Sequence, residues 1–110
     1  PPIAGTFVVN LGDALEHNTQ GLYRATPHRV LQRVNAVDGR ISMPYFFDPS
    51  FDSEMRSMVP YFKSDVQLPT TATEQRVAAR WDKLDPTLFH GTYGNYLLKK
   101  VSKAFPDLFQ

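Results

Sequence analysis

A chain of 110 residues with 42% apolar and 13% aromatic side chains can bury the core of one small domain, which excludes general disorder. Twelve basic against eleven acidic residues leave a net charge of +1 with no block of like charge, so neither nucleic acid nor an anionic membrane surface is a favoured partner. With no cysteine, disulfides and thiolate metal sites are excluded; no apolar run approaches the roughly 18–20 residues of a membrane span, and the cytoplasm is the default compartment.

The chain opens Pro1-Pro2-Ile3 without a methionine and enters a strand-like run at once, a pattern expected of a piece of a longer protein. Residues 6–10 are β-branched and aromatic between Gly5 and Gly12 and read as a buried strand. Asp13 and Glu16 have the spacing of a capping box, so a short helix is expected over 14–18, stopped by Gly21. Residues 22–26 form a second extended piece. Pro27 disfavours helix for Thr26, and 28–34 continue as strand, with His28, Val30 and Val34 on one face. After a turn at 36–39, residues 40–47 form a further strand that ends at Asp48-Pro49. Residues 49–69 have no clean period and read as ordered loop. Thr71 and Glu74 make another capping box, predicting a helix over 72–83 with Val77, Ala78 and Trp81 on one face. Thr92 caps a last helix over 93–104, in which Tyr93, Tyr96, Leu97, Val101, Ala104 and, at its end, Phe105 share one face and Lys99, Lys100 and Lys103 face water or the helix end, before Pro106.

Three residues carry candidate chemistry. His28 is a metal ligand or a structural histidine that satisfies one hydrogen bond. Arg40 and Ser42 lie two apart on a mostly apolar strand, so guanidinium and hydroxyl share a face. A guanidinium facing a core needs a carboxylate partner, and a bidentate arginine with a hydroxyl beside it suits a planar carboxylate ligand. The plainer reading pairs Arg40 with Asp38 on the surface. A two-residue hairpin loop at 37–38 would put His28 and Arg40 on opposite faces; a three-residue loop with Gly39 left-handed, or a corner, brings them to one side. His17 and His90 read as surface or cap residues.

The segments VVNLGDALEHNTQGLYRATPHRV, GRISMPYFFDPSFD and GTYGNYLLKKVSKAFP resemble the C-terminal part of the isopenicillin N synthase-like family of non-haem iron, 2-oxoglutarate-dependent dioxygenases. The most specific matches are Asn10-x-Gly12-Asp13, Thr26-Pro27-His28-Arg29-Val30, Arg40-x-Ser42 and Tyr96-Leu97-Leu98. The resemblance implies a mainly β fold with flanking α-helices: the second half of a double-stranded β-helix (jelly roll), incomplete as a single chain. Residues 1–48 would be its C-terminal strands, 49–70 an ordered loop and 71–110 a helical segment of the same domain.

What the resemblance implies for chemistry follows residue by residue. His28 corresponds to one histidine of a two-His-one-carboxylate Fe(II) site, Arg40 binds the far carboxylate of 2-oxoglutarate, and Ser42 hydrogen-bonds to it. The reaction expected is oxidation of a small organic substrate with O2, by hydroxylation, desaturation or ring closure, with ascorbate as a candidate reductant. The family's other two ligands form a His-x-Asp on an earlier strand, which this sequence lacks, so this chain alone is expected to be inactive. The partner expected is therefore the missing N-terminal half of the same protein or a second copy of the fragment. The alternatives are an oxidative cyclase relative that uses no 2-oxoglutarate and holds its substrate's carboxylate with the same Arg40 and Ser42, and a non-catalytic β-rich binding or assembly module.

Overall fold

A computed structural model describes residues 3–29, 31, 41–69, 73–78 and 80–109. Among them are three α-helices, α1 (Asp13–Asn18), α2 (Thr73–Ala78) and α3 (Tyr93–Ala104), with 3-10 turns at Val59–Tyr61, Pro86–Leu88 and Pro106–Phe109. Helix α3 forms where its periodicity predicts. The Thr92 hydroxyl accepts a hydrogen bond from the Asn95 amide at 3.3 Å, meeting one of the donors that a helix start leaves open. Its inner face carries Tyr93 and Tyr96, which with Met55 make the buried apolar cluster, and Ala14, Phe89 and Leu97 pack against it. Phe89 meets Tyr96 edge-on with ring centroids 5.2 Å apart, a favoured arrangement of two quadrupoles.

Helix α1 also forms, but the expected capping box does not. Gly12 holds the N-cap position with no side-chain bond, and the carboxylates of Asp13 and Glu16 turn to partners elsewhere in the chain. The helix ends as read: Gly21 adopts a left-handed φ of 83°, and its amide donates to Glu16 O at 2.8 Å. Helix α2 is shorter than the 72–83 expected. The chain leaves it after Ala78 and turns through Lys83, at φ 53°, which places Arg80 and Asp82 inward and Trp81, 59% exposed, outward. Residues 51–55 lie along the start of α3: Tyr93 N donates to Ser53 O at 2.8 Å, Gly94 N to Phe51 O at 2.9 Å and Met55 N to Gly91 O at 2.9 Å.

The expectation of a mainly β, half jelly-roll chain is corrected by the structure. Among the described residues there is no sheet, and the one β-type pairing is the antiparallel bridge between Glu54 and Thr92. The expected strands at 6–10, 22–26 and 41–47 run without a ladder; residues 30 and 32–40, with the turn at 37–39 and the start of the last strand, lie outside the described residues. An extended segment becomes a strand only when a neighbouring segment takes its amides and carbonyls, and these runs meet none. Their apolar side chains consequently stand in solvent, Phe7 at 95% and Phe47 at 92% exposure.

Candidate functional site

The buried polar centre is built on Arg80. Its Nη2 donates to Asp13 Oδ1 at 2.8 Å, its Nη1 to Glu16 Oε2 at 3.3 Å and its Nε to Asp82 Oδ1 at 3.2 Å. Asp13 and Glu16 are three apart and so share a face of α1; Asp82 is supplied by the turn after α2. Helix α3 adds the Tyr96 hydroxyl, which donates to Asp13 Oδ2 at 2.8 Å, and Lys100, which pairs with Asp13 and lies 3.3 Å from Asp82. Lys100 therefore does not face water as the periodicity implied, and burial lowers its pKa from the ordinary lysine value. Burial also raises the Tyr96 hydroxyl, against the opposing pull of Arg80, and lifts Tyr93 to about 12 with help from the Asp48 carboxylate. Both phenols are thus neutral donors at ordinary pH. Each guanidinium nitrogen of Arg80 is spent on a carboxylate, so the cluster binds α1 to α3 and to the turn at 80–82.

Glu16 and Thr19 carry that order to the neighbouring extended segment. Glu16 Oε2 accepts from the Ala25 amide at 2.9 Å, and Thr19 Oγ1 accepts from the Tyr23 amide at 3.2 Å while donating to Leu15 O at 2.7 Å. The amides of Tyr23 and Ala25 thus meet the side chains of Thr19 at the C-cap and of Glu16 on α1 where a sheet would supply carbonyls. Three residues beyond Ala25 stands His28, exposed, its Nδ1 3.0 Å from Thr26 O. A carbonyl can only accept, so Nδ1 donates to it, and among the described residues Nε2 is the ring nitrogen left without a hydrogen-bond partner. His17 is a different case. It is 3% exposed, Nε2 donates to Phe89 O at 2.9 Å, and Nδ1 accepts at 3.1 Å from the Asn18 amide nitrogen turned toward it. Both its ring nitrogens are committed, which makes it a buried strut between α1 and residue 89 and corrects its reading as a surface residue.

His28 borders a cleft of about 250 Å³ whose other walls include Asp13, Pro27, Arg80, Trp81 and Lys100. Ser42 is exposed and does not line that cleft, and Arg40 lies outside the described residues. An Fe(II) site of the two-His-one-carboxylate kind needs three converging donors. Among the described residues no three His, Asp or Glu side chains gather for a metal, so they fit one coordination position, that of His28, and not the set. Sequence reading picked out His28 but missed Glu16, Thr19 and Arg80. The i, i+3 run of Asp13, Glu16 and Thr19 was the available signal, and its first two members were read as a capping box.

Comparison with known proteins points to a family. Residues 1–49 match the family described as the 2OG-Fe(II) oxygenase superfamily. A Dictyostelium discoideum protein named probable iron/ascorbate oxidoreductase is 44% identical over 109 residues, covering 98% of this chain and 28% of that protein. A 1-aminocyclopropane-1-carboxylate oxidase of the same organism is 41% identical over 107 residues, and a homoarginine-6-hydroxylase of Glycine max 41% identical over 108, each match covering 27% of the relative. No solved structure matches. This chain spans little more than a quarter of the length of these relatives, and the matches support its being part of a 2OG-Fe(II) oxygenase.

Proposed function

We propose that the chain is part of an Fe(II)- and 2-oxoglutarate-dependent oxidoreductase that oxidises a small organic substrate with O2. Its own contribution is one metal ligand, His28, and an anchor for the oxo-acid, with Arg40 binding the far carboxylate and Ser42 hydrogen-bonding to it. The iron and oxo-acid supply the oxidising chemistry when bound; the residues of this chain hold and orient them. The remaining metal ligands come from further polypeptide of the same protein, as the partial coverage of the relatives supports. Ascorbate is the reductant proposed, on the name of the Dictyostelium discoideum relative.

The observation that carries the role of His28 is its hydrogen bond. Nδ1 is tied to the Thr26 carbonyl and the ring is exposed, which leaves Nε2 as the nitrogen to take a metal. That same further polypeptide accounts for the surface. The chain exposes 9679 Å², against roughly 6,200 Å² for a compact monomer of its mass. Much of the excess is apolar and sits on the runs around Phe7–Val9 and 41–47, so the proposal has the rest of the protein cover those runs.

The test is Arg40→Ala in the longer protein. Losing one charge-assisted contact raises the 2-oxoglutarate concentration needed for half-maximal turnover by about tenfold to a hundredfold, and Ser42→Ala by less. Unchanged dependence on the oxo-acid in Arg40→Ala would remove the anchor from the proposal.

A further inference from the structure

The reading of His28 as a metal ligand leaves open what holds it in place, because no ladder bonds fix its segment among the described residues. We propose that Glu16 and Thr19 are positioning residues for His28, with Arg80 setting the orientation of Glu16; this rests on the metal-ligand reading given above. Glu16 on α1 and Thr19 at its C-cap lie three apart, and both are nearly sealed from solvent, at 2% and 3% exposure. Their side-chain oxygens accept the amides of Ala25 and of Tyr23, which lies in the bend that leaves the helix, at 2.9 and 3.2 Å. The path of the chain from α1 to Ala25 is therefore held at two points.

From Ala25 the path to His28 is short and stiff. Pro27 restricts the backbone of Thr26 and has its own φ locked, and Thr26 O then receives the His28 Nδ1 proton. Arg80 Nη1 donates to Glu16 Oε2 at 3.3 Å, the same oxygen that takes the Ala25 amide, so the carboxylate is held from both sides. Glu16 touches no reacting atom in this arrangement. Its effect reaches the metal only through where His28 stands, which is the kind of outer support that fixes a ligating imidazole.

The experiment has two arms. In the longer protein, amide hydrogen exchange is followed by NMR at Ala25 for the parent, Glu16→Gln and Glu16→Ala, with the Tyr96 amide of α3 as the monitor of folding. Glu16→Ala is expected to speed Ala25 exchange by about tenfold or more, and Glu16→Gln, which keeps a neutral acceptor, by less. His28 ring nitrogen signals should change with it, from one tautomer to an average of two. Loss of protection at Tyr96 in Glu16→Ala would mean general unfolding, and the ordering of Glu16→Gln against the parent then decides. In the second arm, Co(II) affinity of the longer protein is measured for Glu16→Gln and His28→Ala. The proposal expects a partial loss, about tenfold, for Glu16→Gln and a far larger one for His28→Ala. Ala25 exchange and His28 signals unchanged in a folded Glu16 variant would overturn the positioning role. Unchanged affinity in His28→Ala overturns instead the metal-ligand reading, whatever the exchange arm shows.

Discussion

Arg80 reaches three carboxylates with three different nitrogens while its own side chain is 9% exposed. Taking such charges out of water costs several kcal/mol each, and only full mutual pairing offsets it. Arg80→Met would take the guanidinium from Asp13, Glu16 and Asp82, leaving Lys100 paired with Asp13 and Asp82 but not with Glu16, and is expected to cost about 3–5 kcal/mol, read as a lower urea midpoint. A loss under about 1 kcal/mol would show that the cluster is solvated and weak. None of this was legible from the residues in order. The partners of Arg80 on α1 stand 64 and 67 positions away, and a local reading gave Asp13 and Glu16 the nearest available role, a helix cap. His28 stood out in the sequence as a histidine opening an extended run, and its role as a ligand is the proposal made above. The hydrogen bond on its Nδ1 is local, two residues back.

At the scale of elements, α3 is the part the sequence described best, because its cap and the inward Tyr93 and Tyr96 are set by neighbours within four positions; Lys100, expected to face water, instead turns to Asp13 and Asp82, and Ala104 and Phe105, expected inward, are exposed. Its packing against residues 51–55 was not visible, and it depends on one glycine. A Cβ on Gly94 would sit 3.0 Å from the backbone oxygen of Phe51 and 3.2 Å from Phe51 Cβ, and a backbone atom has little room to yield. Alanine favours a helix over glycine by about 1 kcal/mol, yet overpacking of this kind costs about 1–3 kcal/mol. Gly94→Ala should therefore be destabilising or at best neutral in thermal melting, against its propensity, and a clear rise in Tm would show that the two segments are not in contact. The expected strands failed for the opposite reason. The β-branched and aromatic residues of 6–10 and the apolar run of 41–47 mark surfaces that suit a sheet, but a sheet needs a second segment, and among the described residues the chain offers none. In 22–26 the amides of Tyr23 and Ala25 found side chains instead.

Over the whole molecule, order and exposure divide cleanly. The radius of gyration is 16.8 Å, against roughly 13 Å for a compact domain of this length, and the excess surface lies on the extended runs while α1, the 80–87 region and α3 pack together. The packed part holds the exposed part at two points, through Glu16 and Thr19, and the exposed part bears His28. The account predicts that a longer protein completes both the surface and the metal site, with His28 as one donor. The most direct measurement is anaerobic Co(II) or Fe(II) titration of that longer protein beside its His28→Ala variant. The account predicts one tightly bound equivalent in the parent, and in the variant a fall in affinity beyond the roughly 10–100-fold that outer partners cost. Equal stoichiometry and affinity in the two proteins would contradict it.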